Sequence, residues 1–159
     1  MKMRAQYAVL VLFVFILGSC SKEPIDNTPN IEAVNVIALE QEVLEIVNSH
    51  RSELGTNTLE FSEVAYEYAN KHTDYMISKG SLSHDNFSSR ASSIASKVAV
   101  QMVAENVAKD YNTAQDAFLG WYESSSHKKT MEGDFTHTAV SVKKDENGNF
   151  YYTQLFYKE

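Results

Sequence analysis

The apolar positions of the chain change character along its length. From Ala5 to Leu17 they form a nearly unbroken run, interrupted by Gln6. From Ser21 to about Asn35 they show no period, and Pro24 and Pro29 interrupt a polar stretch that reads as a flexible tether. After Val36 they recur first at helical and later at strand spacing. Leu39, Val43, Ile46, Val47 and Leu54 predict a helix over 38–54, with Gly55 as its stop. Ser62 is a good N-cap for a second helix, and Phe61 and Tyr66 are placed to staple its start. Ala65, Tyr68, Ala69, His72 and Met76 mark its inner face, and Gly80 ends it. The Ser-rich stretch 88–97 reads as a short helix or a loop. Thr113 caps a further helix whose apolar face is Ala117, Phe118, Trp121 and Tyr122. Strands are predicted over 101–108, 138–143 and 150–157. The last two are joined by Asp145-Glu146-Asn147-Gly148-Asn149, where Asn-Gly signals a hairpin. This order predicts an α+β domain, an antiparallel sheet covered by helices.

The front of the chain adds an address. Lys2 and Arg4, the apolar run, and then Gly18, Ser19 and Cys20 describe a secretory signal. The run is too short for a comfortable membrane span, which takes about 20 apolar residues. Leu17-Gly18-Ser19-Cys20 resembles the lipobox of bacterial lipoproteins. The resemblance implies cleavage before Cys20, a diacylated sulfur and an acylated new amino group. An ordinary leader with an incidental Cys is the alternative. Cys20 is the chain's single Cys, and acylation accounts for a lone thiol in an exported protein. Two or more acyl chains anchor stably where one does not. The expected organisation is therefore a leader over 1–19, a lipidated Cys and tether over 20–36, and one domain over 37–159.

Two consequences follow. The mature chain has no thiol left for a disulfide, a metal or a nucleophile. Removing Lys2 and Arg4 with the leader leaves 12 basic residues of the original 14 against 21 acidic ones, a net charge of −9. That balance argues against nucleic acid or anionic lipid surfaces as partners.

Candidate chemistry rests on five His and one carboxylate. His50 and His72 lie within the long helices, and His72, on the inner face, reads as a hydrogen-bonded packing residue. His84 follows the second helix, His127 ends the helix that carries Trp121, and His137 opens a strand in Phe135-Thr136-His137. Glu105 sits among apolar neighbours in Met102-Val103-Ala104-Glu105-Asn106-Val107. Either strand alternation turns it to solvent or it is buried with a partner, because burial alone costs too much. Imidazoles and a carboxylate can bind a metal or exchange protons, but spacing alone does not bring these together.

The order of these pieces resembles the CAP superfamily: cysteine-rich secretory proteins, antigen 5 and pathogenesis-related 1 proteins, with a bacterial branch. The resemblance covers about 38–156. It rests on Val47-Asn48-Ser49-His50-Arg51, Leu82-Ser83-His84, Ala104-Glu105-Asn106, Trp121 through His127, Phe135-Thr136-His137 and Tyr151-Tyr152-Thr153-Gln154-Leu155-Phe156. It implies an α-β-α sandwich around a three-stranded antiparallel sheet, with a cleft holding two His and two acidic residues. Carried over, His84 and His137 are the two His and Glu105 is the first acid. The position of the second acid is Ser124 here, as in the bacterial branch, and His127 follows the bacterial pattern of Trp, Ser, then His. The eukaryotic disulfides are absent, and Ala104 replaces a Gly that often precedes the Glu.

What this implies about function stays divided. One reading is a binding module for a lipid, sterol or envelope molecule, its cleft able to hold Zn²⁺ or another divalent metal on His84, His137 and His127, with Glu105 orienting an imidazole. Another is a metal-dependent hydrolase or peptidase using His84, Glu105 and His137. The third is a structural or adhesive surface module, in which the cluster is only a hydrogen-bonded network. Tyr151, Tyr152 and Tyr157 read as sheet packing. The lipid bilayer, reached through Cys20, is the expected partner, and the outer membrane the expected place.

Overall fold

The structure, a computed structural model, describes residues 33–159. The expected leader, Cys20 and most of the tether lie outside the described residues. The elements are α1 (Ile37–Glu53), β1 (Glu60–Phe61), α2 (Glu63–Lys79), α3 (Phe87–Ala95), β2 (Met102–Lys109), α4 (Ala114–Glu123), α5 (Ser125–Met131), β3 (His137–Lys144) and β4 (Phe150–Lys158).

The caps act as the sequence predicts. Ser62 Oγ accepts the Ala65 amide at 3.1 Å, and the Phe61 and Tyr66 rings meet at 5.6 Å between centroids. Thr113 Oγ1 accepts the Asp116 amide at 3.1 Å. Gly55 and Gly80 end their helices at φ +73° and +70°, the left-handed region where a side chain is strained. In the β3–β4 turn Gly148 adopts φ +85°, and the Asp145 carboxylate accepts the amides of Asn147 and Asn149.

The sheet runs in the order β1-β3-β4-β2. The three long strands are antiparallel, as expected, and β1 adds a fourth, parallel to β3. Two residues are too few for any alternation to show, so the sequence pattern passes over β1. Alternation along β3 and β4 divides the core. Val140, Val142, Tyr152 and Phe156 pack with Val43, Val47, Phe118 and Trp121 on the α1–α4 side. Ala139, Leu155 and Tyr157 pack with Ala65, Ala69 and Ile94 under α2 and α3. Small residues on both partners let α2 lie close on the sheet.

One boundary differs from expectation. The helix carrying Trp121 stops at Ser124, whose backbone is extended (φ −89°, ψ 115°), and α5 starts afresh. His127 therefore sits inside a separate short helix rather than at the end of α4. The break turns α5 back toward β2, and Asn106 Nδ2 donates to the His127 carbonyl at 3.1 Å.

The sheet's two edges are finished differently. Beside β3, the Glu60 and Ser62 amides donate to the Thr136 and Thr138 carbonyls. Further along, the Val142 amide donates to Glu40 Oε1 at 2.8 Å and the Val142 carbonyl accepts from Val36. On β2, the pairing with β4 and the bond from the Asp110 amide to the Phe150 carbonyl turn Ala104, Asn106 and Ala108 inward. Val103, Glu105 and Val107 then point outward. The Val107 carbonyl is taken by Trp121 Nε1 at 3.0 Å. Among the described residues, nothing bonds the outward amides and carbonyls of Val103 and Glu105.

Candidate functional site

The site lies on this open edge. Glu105 projects from β2 toward α2 and α3, and its side chain is only 1% exposed. A lone carboxylate there would be too costly; Arg90 of α3 resolves it. Arg90 Nε donates to Oε2 and Nη2 to Oε1, both at 2.8 Å, and Arg90 Nη1 donates to the Asp85 carbonyl at 2.6 Å. This fork is the geometry in which Arg grips a carboxylate best. Of the two possibilities for Glu105, the structure shows the buried and partnered one.

His84 approaches from the α2–α3 loop, and its Nδ1 lies 2.8 Å from Glu105 Oε1. The clamped carboxylate can only accept, so Nδ1 carries the proton and Nε2 faces away. The His84 side chain is 50% exposed, the one open member of an otherwise buried group. The His127 ring lies 6.5 Å away between centroids. Burial, and secondarily the proximity of His84, lowers the His127 pKa.

His72 lies beneath. Its Nε2 donates to the Ser83 carbonyl at 2.7 Å and stands 3.7 Å from Glu105 Oε1. That bond fixes the loop that carries His84. Its Nδ1 is buried with no partner among the described residues, and burial lowers its pKa. The reading of His72 as an inner-face hydrogen-bonded residue describes it well, and the structure adds its place behind the site.

His137 is not brought to this group. It opens β3, and β4 separates β3 from β2, about 10 Å across two strand spacings. Its ring stacks on Tyr157 at 4.7 Å, Nδ1 lies 2.8 Å from Thr136 Oγ1, and Nε2 is 3.8 Å from Glu60. Ser124 serves through its backbone, ending one helix and starting the next; its hydroxyl lies 3.2 Å from that of Ser126. Tyr151, Tyr152 and Tyr157 are sheet core.

The donor set bears on metal. A tetrahedral site takes three or four protein ligands. Here His84 and His127 supply two imidazoles, His137 is elsewhere, and both Glu105 oxygens are held by Arg90. Among the described residues no group of three or more His, Cys, Asp or Glu side chains could hold a metal ion. The expected centre on His84 and His137 does not fit this geometry. What the site can do is accept, donate or relay a hydrogen through two adjacent imidazoles, one of them rigidly oriented.

Arg90 escapes the sequence reading. It stands in Ser88-Ser89-Arg90-Ala91, four residues before the buried Ile94. That spacing puts both on one helix face, and a buried Glu105 demanded a cation. The two facts together were the available signal.

A helix–sheet–helix sandwich with an imidazole cleft on one sheet edge defines a class of domain, and comparison with known proteins agrees. Residues 44–156 match the model of the cysteine-rich secretory protein family, CAP. The chain belongs to that family. It is 30% identical over 125 residues to the membrane protein YlbC of Bacillus subtilis (strain 168), covering 75% of this chain and 34% of that protein. The chain thus spans about a third of YlbC. Among solved structures, an outer surface protein of Borrelia burgdorferi superposes with a TM-score of 0.71 at 16% identity, over 80% of this chain and 98% of the other. An extracellular SCP-domain protein of Bacillus anthracis superposes with a TM-score of 0.68 at 25% identity, over 77% and 41%.

Proposed function

We propose that this chain is an exported, envelope-anchored binding module, held by acylated Cys20 at the outer membrane, whose cleft at β2 takes the polar group of an envelope molecule. The carrying observation is His84. A buried polar network that served only stability would have no reason to raise one imidazole, 50% exposed, on a carboxylate that is 1% exposed and clamped by Arg90. Such an imidazole is set in direction before any ligand arrives, which lowers the ordering cost of binding. A similar solved protein, 25% identical and named as extracellular, supports the export.

The hydrolase reading uses His84, Glu105 and His137 together, and His137 lies two strands away. Both Glu105 oxygens already accept from Arg90, so Glu105 is spent on holding Arg90 and His84. Binding is the better fit.

The test uses the full chain in detergent with a panel of phospholipids, free fatty acids and peptidoglycan fragments, read by calorimetry. At least one class binds, and His84→Ala weakens it about tenfold or more, the loss of one strong hydrogen bond. Equal affinity in the variant overturns the reading. Titration with Zn²⁺ alone gives no tight one-to-one binding; a tight site abolished by His84→Ala with His127→Ala restores the metal.

A further inference from the structure

We infer that the cleft's ligand is an extended peptide that adds as a strand along the outer edge of β2 from Met102 to Glu105, with an acidic side chain reaching Lys129. The inference deepens the binding reading above and rests on it.

The backbone comes first. Val103 and Glu105 aim their amides and carbonyls away from β4, and among the described residues nothing meets them. Glu105 as a whole is 9% exposed while its side chain is 1% exposed, so what faces outward is its main chain. Alternating donors and acceptors at strand spacing are matched by another extended backbone, and strand addition uses just such an edge. Beyond Glu105 the row is closed, because Trp121 takes the Val107 carbonyl. The open stretch is short, which keeps it from acting as a general aggregation edge.

The flanks give the alternate side chains of an added strand two different environments. On one side His84 stands over Glu105. On the other a groove of about 670 Å³ begins at Met102 and runs along α5 between Ser125, Lys129 and Phe135. Its acids are already engaged: Glu132 lies 2.9 Å from His50 Nε2, and Asp134 pairs with Lys158. Lys129 is exposed and enters none of the ion pairs among the described residues. The unmatched charge in the groove is therefore positive, and a carboxylate complements it.

Heptapeptides selected from a random phage-displayed library against the full chain in detergent test this. The selected sequences carry Asp or Glu. On binding, the Val103 and Glu105 amides gain protection from hydrogen exchange, while the Val142 amide does not change. N-methylation at every second peptide residue weakens binding about tenfold or more in one register and little in the other. Val103→Pro removes one outward amide and leaves the ladder to β4 intact, as Pro permits at an edge; it weakens the peptide about tenfold. Lys129→Ala weakens it severalfold. Should Val103→Pro unfold the chain, the N-methyl series on the wild type decides. No selected peptide, a methylation effect without alternation, or Val103 and Glu105 protected only through pairing of two copies of this chain overturns the inference. Loss of an envelope ligand in His84→Ala with full retention in Val103→Pro overturns it too, and leaves the binding reading standing.

Discussion

Along β3 the sheet edge is dressed with unlike devices: a two-residue strand at Glu60–Phe61, the backbone of Val36, and the buried carboxylate of Glu40 on the Val142 amide. Along β2 a single indole closes one carbonyl, and among the described residues the groups of Val103 and Glu105 stay open. Both edges belong to one sheet and both have a buried Glu beside them. Glu40 is spent on the backbone itself: Oε1 meets Val142 and Asn35, and Oε2 accepts from Tyr66. Glu105 turns away from its own backbone to hold Arg90 and His84. The same residue type thus seals one edge and equips the other. An exposed edge is a hazard that folded chains usually cover, and the edge left open beside a preset imidazole is the one proposed above to receive a partner.

The largest expected effect lies at the open edge. Glu105→Gln leaves the Arg90 guanidinium buried without a counter-charge and lowers stability by about 3–5 kcal/mol. Urea unfolding measures it, and a loss under about 1 kcal/mol shows that Arg90 finds solvent instead. At the closed edge, Glu40→Ala orphans the buried Val142 amide and costs about 1–3 kcal/mol. A neutral result there means that the edge is closed by its other devices alone.

The sequence showed the open edge only in part. The helices of 38–54 and 63–79 were legible because their periods are long and their caps, Ser62, Gly55 and Gly80, follow local rules. The strands were legible through alternation and Asn147-Gly148. His84, Glu105 and His127 were named through the family pattern; His84 bonds Glu105, and the His127 ring lies 6.5 Å from that of His84. His137 was named by the same pattern, and β4 holds it away. Strand order decides that, and strand order is a long-range property that no spacing encodes. The helix break at Ser124 was hidden because Ser is neutral enough to continue or end a helix. Arg90 was hidden because its partner is 15 residues away on another element.

A smaller effect concerns pH. Burial lowers the His72 pKa in the folded chain below its ordinary 6.5. Above that value the ring is neutral in both states. As pH falls below it, the unfolded chain takes the proton and the folded chain does not. Stability therefore declines from about pH 6.5 downward toward the folded value. His127, lowered likewise, adds with the same sign. His72→Gln, which keeps a donor for the Ser83 carbonyl, makes the decline shallower. Urea midpoints at about pH 7.5 and about pH 5 measure it, and an unchanged slope contradicts His72 as a buried neutral ring.

The difference between the edges is tested most directly by native-state amide hydrogen exchange on the full chain without ligand. Val142, Val103 and Glu105 all carry amides that point away from β4. The Val142 amide is expected to be protected to nearly the stability of the fold, while those of Val103 and Glu105 exchange orders of magnitude faster. Equal protection at all of these positions would contradict that difference.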